Sequence, residues 1–187
     1  MTEQPPPATP APAQPPAAAP ATPAPPAVHA GYAVKRPLGR VIGFTIITFG
    51  LYHFFWFYTV RKQLNEEMGS TDDAGLYTAG LLVPILNIFI TYWLWRDLDL
   101  LRKRYGLPEI PVVLYLVLAA FVPFAAIVVY AMIVNRLNEY WDVRTGGQAV
   151  TAPITSGEKV VVGIGAAFFV LWGLIIVIVI VAAVVNS

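Results

Sequence analysis

The chain has 187 residues, 57% of them hydrophobic and 12% charged, with a net charge of +1 and no cysteine; its mean hydropathy is +0.65. Globular domains carry about 25% charged residues, so this composition argues against an ordinary soluble domain. The small net charge argues against a nucleic-acid-binding face, and the lack of cysteine removes disulfides, thiolate nucleophiles, Cys metal sites and thiol lipid anchors.

Residues 1–34 form a Pro/Ala-rich tail, with Glu3 the only charged side chain before Val28. Proline fixes φ and has no amide hydrogen, and the tract offers no apolar surface to offset ordering. The expectation is a disordered, polyproline-leaning tether extending about 3.1 Å per residue. It has neither the basic start nor the apolar stretch of a signal peptide. Pro7-Ala8-Thr9-Pro10 matches PxxP, a pattern nearly unavoidable at this proline density.

Residues 35–187 read as a four-helix membrane domain. The expected spans are 38–60, 76–95, 111–134 and 160–185, each near the ~20 residues a crossing needs. In lipid every backbone amide must be satisfied within the segment, so helix is the expected state. Asp72 and Asp73 before the second segment can cap a helix start. Pro111 suits a first helical turn. Thr155-Ser156-Gly157-Glu158 matches a capping box before the fourth. The overall expectation is an all-α integral membrane protein with four transmembrane helices behind a disordered tail.

Four crossings would put both termini on one side. That side would hold Lys35, Arg36, Arg40, Arg96, Arg102, Lys103 and Arg104; the other would hold Arg61, Lys62, Arg136, Arg144 and Lys159. The excess points to cytoplasmic termini.

The segments also resemble one another. Each is an aromatic-rich run continued by a polar amphipathic extension, and the second and third share Val83-Pro84 and Val122-Pro123. Aromatic belts and flanking charges suffice to explain this likeness.

Arg36-Pro37-Leu38-Gly39, Ile47-Thr48-Phe49-Gly50-Leu51-Tyr52, Phe55-Trp56-Phe57-Tyr58 and Pro84-Ile85-Leu86-Asn87 resemble an uncharacterised bacterial membrane family, domain of unknown function forty-two thirty-four. The resemblance covers about residues 36–104. It implies a bacterial plasma (inner) membrane, and it implies no functional residues.

His53 is the one ionisable side chain well inside an expected span, which makes it a functional candidate. It has no acidic partner in any span, so the expected role is packing. His29 is the only other histidine, so no metal site is expected, and no cofactor. Pro84 should free the Gly80 carbonyl and kink the second span; Asn87 beside it would bond across helices or line a cavity. Gly39 and Gly43, and Gly163 with Ala167, are small-xxx-small patterns that allow close helix approach.

In the 96–105 extension, Leu94, Leu98, Leu101 and Tyr105 share a face and Asp99 reaches Lys103. Arg102, Lys103 and Arg104 would contact anionic headgroups, or act only as a topology signal. Leu137, Tyr140 and Trp141 suggest an interfacial anchor on the opposite side. Thr145–Gly157 reads as a flexible connector.

No catalytic motif is present, and the carboxylate pairs Glu66-Glu67 and Asp72-Asp73 sit in a polar loop. An enzyme is not expected. The expected role is a structural or interaction component, or an accessory subunit, of a bacterial envelope complex. Its partners would be the lipid bilayer with anionic headgroups and other proteins or a homo-oligomer, not nucleic acid. The alternative is a small oligomeric transporter or channel subunit.

Overall fold

Three of the four long apolar segments turn back on themselves near their middles. A computed structural model describes residues 31–122 and 124–185; the tail before Gly31 lies outside the described residues, as does Pro123.

The first segment divides into α1 (Leu38–Ile47) and α2 (Leu51–Met68). Between them Phe49 and Gly50 take left-handed φ values of 48° and 88°. The Thr48 hydroxyl accepts the Tyr52 amide at 2.8 Å, filling a bond that the start of α2 lacks. Closure of the open ends shows that this is a hairpin rather than a kinked span. Arg36 Nη1 donates to Gln63 Oε1 at 3.3 Å, whereas a continuous helix would hold these residues about 40 Å apart.

The second segment divides into α3 (Ala74–Gly80) and α4 (Pro84–Arg104). The Asp73 carboxylate caps α3 through the Gly75 and Leu76 amides, as its sequence suggests. The Val83 amide takes the Gly80 carbonyl at 3.1 Å, and Pro84 opens a new helix running back the other way. The expected kink is therefore a chain reversal. Tyr77 and Trp93 meet across it at 6.1 Å. Arg61 Nη2 reaches Asp72 just before α3, at 2.6 Å, and its Nη1 reaches Asp97 of α4.

The third hairpin is α5 (Val112–Phe121) and α6 (Ala125–Arg144), with Phe124 at φ 66° in its turn. Its base is closed from α4. The Ile110 amide donates to Asp99 at 2.7 Å, and Arg102 donates to the carbonyls of Pro108 and Arg136 at 3.3 and 2.7 Å.

Only the fourth segment is unbroken. The 30-residue helix α7 (Ser156–Val185) is the one helix among the described residues long and apolar enough to cross a membrane. This corrects the four-span expectation: the fold is all-α, with seven helices, but three segments are hairpins. The Thr155 hydroxyl accepts the Glu158 amide at 3.2 Å, half of the expected capping box. The Glu158 carboxylate instead binds Arg40 and the Tyr52 hydroxyl, 2.6 Å away. From there α7 runs beside α1. Gly165 sits on Thr48, and Phe168 and Phe169 meet Phe49 at ring distances of 6.1 and 5.2 Å. Beyond Phe169 the helix passes the hairpin tip and continues alone, its side chains exposed.

The hairpins share one polarity. Their tips are apolar, and every described Lys, Arg, Asp and Glu lies at the base end. The described residues thus run from Gly31 at the charged end to Val185 at the far end of α7, and the termini whose side was expected lie outside them.

At the charged end α2, α4 and α6 continue past the hairpins and enclose a core of Leu64, Leu98, Leu101, Leu137, Tyr140 and Trp141. Leu137, Tyr140 and Trp141 are interior, on the same side as the other bases, not an anchor on the opposite one. The body also extends into the expected tail. Tyr32 packs on Trp141 at 6.0 Å and donates to Glu67 at 3.0 Å. Strand β1 (Val34–Lys35) pairs in parallel with β2 (Val150–Thr151). This pairing and the bonds from Arg40 to the Ala152 and Pro153 carbonyls tie down the expected flexible connector.

Three substitutions test the α7 docking. A Cβ at Gly165 would lie 2.6 Å from the Thr48 Cα, whereas at Gly163 it would meet nothing within 4 Å. Gly165→Val should therefore destabilise the folded protein by about 1–3 kcal/mol or more in detergent melting, and Gly163→Val should not. Glu158→Ala leaves Arg40 without its buried carboxylate and should cost about 3–5 kcal/mol in the same assay.

Candidate functional site

Two features of the hairpin array carry polar chemistry. The first is a layer of ion pairs across the hairpin bases. Arg40–Glu158 ties α1 to α7, and Arg61 ties α2 to the α3–α4 hairpin. Arg144–Glu67, 2.7 Å, ties α6 to α2, with the Tyr140 hydroxyl donating to the same carboxylate at 2.9 Å. Arg102 is fully buried and binds Glu139 at 2.9 Å.

These contacts relocate the basic triplet. Arg102 is turned into the core, and Lys103 pairs with Asp99 and Glu109 at 2.9 and 3.1 Å. Only Arg104 is exposed and lacks an ion pair among the described residues. The triplet also sits two turns of α4 past Asp97, away from the level where the hairpins begin. Exposed cations at that level are Lys62, Arg96 and Lys159, the neighbours in sequence of the inward-facing Arg61, Asp97 and Glu158.

The second feature is a partly open cavity of about 380 Å³ lined by all three hairpins. Its polar members are Thr45, His53, Asn87, Thr91 and Tyr130; the rest of its wall is apolar or Trp, and no charged side chain lines it. His53 and Asn87, singled out separately from sequence, meet here. The His53 ring lies 5.1 Å from Tyr130 and 6.0 Å from Trp56. Among the described residues the buried Trp56 Nε1 has no hydrogen-bond partner, and the buried Tyr130 hydroxyl has only Thr45 near it. Thr45, the polar neighbour of Tyr130, spends its hydroxyl on the Val41 carbonyl at 2.7 Å.

Asn87 works within its own hairpin. Its amide donates to the Leu81 carbonyl at 3.1 Å, and its oxygen accepts from Thr91 at 3.1 Å. It fastens the turn that Pro84 begins rather than joining two spans. Gly39 and Gly43 have open space where a Cβ would sit, so the expected close approach is not at these glycines. The tight crossing is at Gly165, inside the Gly163–Ala167 pattern. Among the described residues no three His, Asp or Glu side chains converge as metal ligands.

A cavity of this size and lining suits a neutral apolar chain or ring, since it offers neutral donors and no charge. The ion-pair layer has the opposite character. It is a structural clamp, each of its carboxylates paired with a guanidinium group.

A family model matches residues 36–186. The chain belongs to the family described as Domain of unknown function (DUF4234). No curated protein and no solved structure matches it. The DUF4234 match runs through all three hairpins and α7, well past the 36–104 stretch that carries the sequence resemblance. The family domain is therefore the hairpin array together with α7.

Two outcomes follow from this geometry. His53 meets aromatic rings and no carboxylate, so His53→Phe should cost no more than about 1–2 kcal/mol in detergent melting. Glu139 behaves differently. Partial burial alone would raise its carboxyl, but Arg102 and Arg136 hold it below the ordinary carboxylate range. A carboxylate depressed in the folded state contributes stability above its unfolded pKa and loses it as pH falls through the folded value. Melting temperature should thus fall on acidification below the ordinary glutamate range, and Glu139→Gln should remove part of that dependence.

Proposed function

We propose that the protein is a membrane-embedded structural and interaction component, with a charged body on one face of a bilayer and three hairpins lodged in the adjoining leaflet. The observation that carries this reading is a match of lengths. α1 and α5 are 10 residues each, about 15 Å, half of the ~30 Å hydrocarbon core. α7 runs about 39 Å from Lys159 to Val185, enough to cross the whole core.

The tips support the same placement. Phe49 and Phe124 hold left-handed φ values that cost a bulky residue about 1–2 kcal/mol. In water glycine or asparagine would serve there at less cost. A phenylalanine exposed at such a position suits hydrocarbon surroundings. Leu82, Phe121 and Phe124 at the tips are each more than 70% exposed.

All 12 Lys and Arg fall at the charged end, and the positive-inside tendency favours a cytoplasmic body with the far end of α7 across the plasma membrane. Lys62, Arg96 and Lys159 stand at headgroup height and would meet anionic lipid, each contributing about 1 kcal/mol. Above the membrane, the surface of the α2–α4–α6 body is available to envelope proteins or a second copy. The cavity's titratable groups, His53 and Tyr130, face no carboxylate there, which favours a non-enzymatic role. A transport role finds less support. The cavity is bounded towards the charged end by Trp56, Phe57, Leu94 and Trp95, and its lining offers no ion a ligand set.

The absence of native cysteine makes the test direct. Single cysteines at Thr71, Glu109 and Gln148 should all react with an impermeant reagent from one side of sealed membranes, and Val185→Cys only from the other. Labelling of Glu109→Cys and Thr71→Cys from opposite sides would overturn the reading and restore through-going spans.

A further inference from the structure

The hairpins make the protein far wider at one depth than at another. At the level of α1, α3 and α5 the cross-section holds the six limbs of three hairpins together with α7. Past the tips, among the described residues, it holds only α7, whose side chains are largely exposed from about Phe169 onward. At a helix diameter of about 10 Å, roughly seven helix cross-sections occupy one leaflet and one occupies the other. Protein interiors pack densely and compress little, so the array cannot narrow to relieve this difference. The base layer reinforces it. Arg40–Glu158 and Arg61–Asp97 tie the first hairpin to α7 and to the second at the level where the hairpins begin, and Arg144–Glu67 ties the third to the first further into the charged body.

We propose that the array acts as a one-leaflet wedge, favouring bilayers that are convex on the charged side. The proposal rests on the leaflet-embedded reading above. A bilayer can absorb a seven-to-one imbalance in occupied area by spreading the occupied leaflet, which bends the surface outward there. The partner is the lipid surface itself, selected by shape, with Lys62, Arg96 and Lys159 adding attraction for anionic headgroups at the rim of the wedge. The turns fit this use. Each hairpin ends at the bilayer middle in an apolar, exposed residue (Phe49, Leu82 or Phe124), so the wedge fills its leaflet to full depth and stops there.

The test is sorting by curvature. Full-length, fluorescently labelled protein is inserted during synthesis into a mixture of small, strongly curved and large, nearly flat vesicles of one anionic composition. The charged body stays outside, on the convex surface. Single-vesicle imaging should show a several-fold higher protein density per membrane area on the small vesicles. The double variant Leu82→Lys, Phe121→Lys alters two exposed tips and leaves α7 to anchor the chain; its enrichment should fall to near one. Equal wild-type density on both sizes would overturn the wedge, as would undiminished enrichment in the tip variant. Cysteine labelling on the same vesicles separates the two failures. If Thr71→Cys and Glu109→Cys report one side and no sorting occurs, the wedge fails and the leaflet-embedded reading stands. If they report opposite sides, both fail.

Discussion

The fold depends on closing the open ends of three apolar hairpins with buried charge. A helical hairpin whose outer surface is Val, Leu, Ile and Phe gains nothing specific by meeting another in hydrocarbon, where lipid is as apolar as the protein. The specific contacts are at the bases. Arg61 reaches both Asp72 and Asp97, Arg102 reaches Glu139, Arg144 reaches Glu67, and Arg40 reaches Glu158. Replacing a buried ion pair by well-packed apolar groups is often neutral for stability, but breaking one is costly. Such pairs therefore act mainly to choose one arrangement over its alternatives. Here the arrangement chosen is three hairpins side by side, bases together, with α7 along the first. Tyrosine hydroxyls from Tyr32, Tyr52 and Tyr140 complete the carboxylates and leave them few free acceptor positions.

This placement of charge has a second effect. On the leaflet-embedded reading the bases would not follow the hairpins into hydrocarbon, and the apolar tips would have no reason to leave it. The molecule would be held at a fixed height, with α7 beyond Phe169 crossing the remaining leaflet. The cavity lined by the three hairpins follows as well. Short helices joined at one end diverge at the other, and Thr45, His53, Asn87 and Tyr130 line the space left between them.

Much of this was legible in the sequence, and the chief error has a plain cause. Hydropathy over a window measures how apolar a segment is, not whether it returns, so 38–60, 76–95 and 111–134 scored as crossings. The return was marked near the middle of each, at Thr48-Phe49-Gly50, Val83-Pro84 and Val122-Pro123, whereas 160–185 contains no proline and runs unbroken. Charges at both ends of the first three segments fit a hairpin with both ends on one side as well as a span. Local signals held: the Asp73 cap, the apolar face of Leu94, Leu98 and Leu101, and the Asp99–Lys103 pair. Long-range pairing did not show. Nothing about Glu158 in isolation points to Arg40 more than a hundred residues away, and small residues at Gly39 and Gly43 look as suited to close packing as Gly165. The internal likeness, explained from sequence by aromatic belts alone, corresponds to one hairpin plan used three times.

The central claim is that the first three segments return to the side they entered, and a distance across the first hairpin tests it most directly. Gly39 and Lys62 are both exposed near its base, so paired spin labels there should leave the fold intact. In bilayers the account predicts a pulsed dipolar distance of about 20 Å or less, since Arg36 and Gln63 touch beside them. A single through-going helix would separate the two sites by about 35 Å, and a distance of that order would contradict the account.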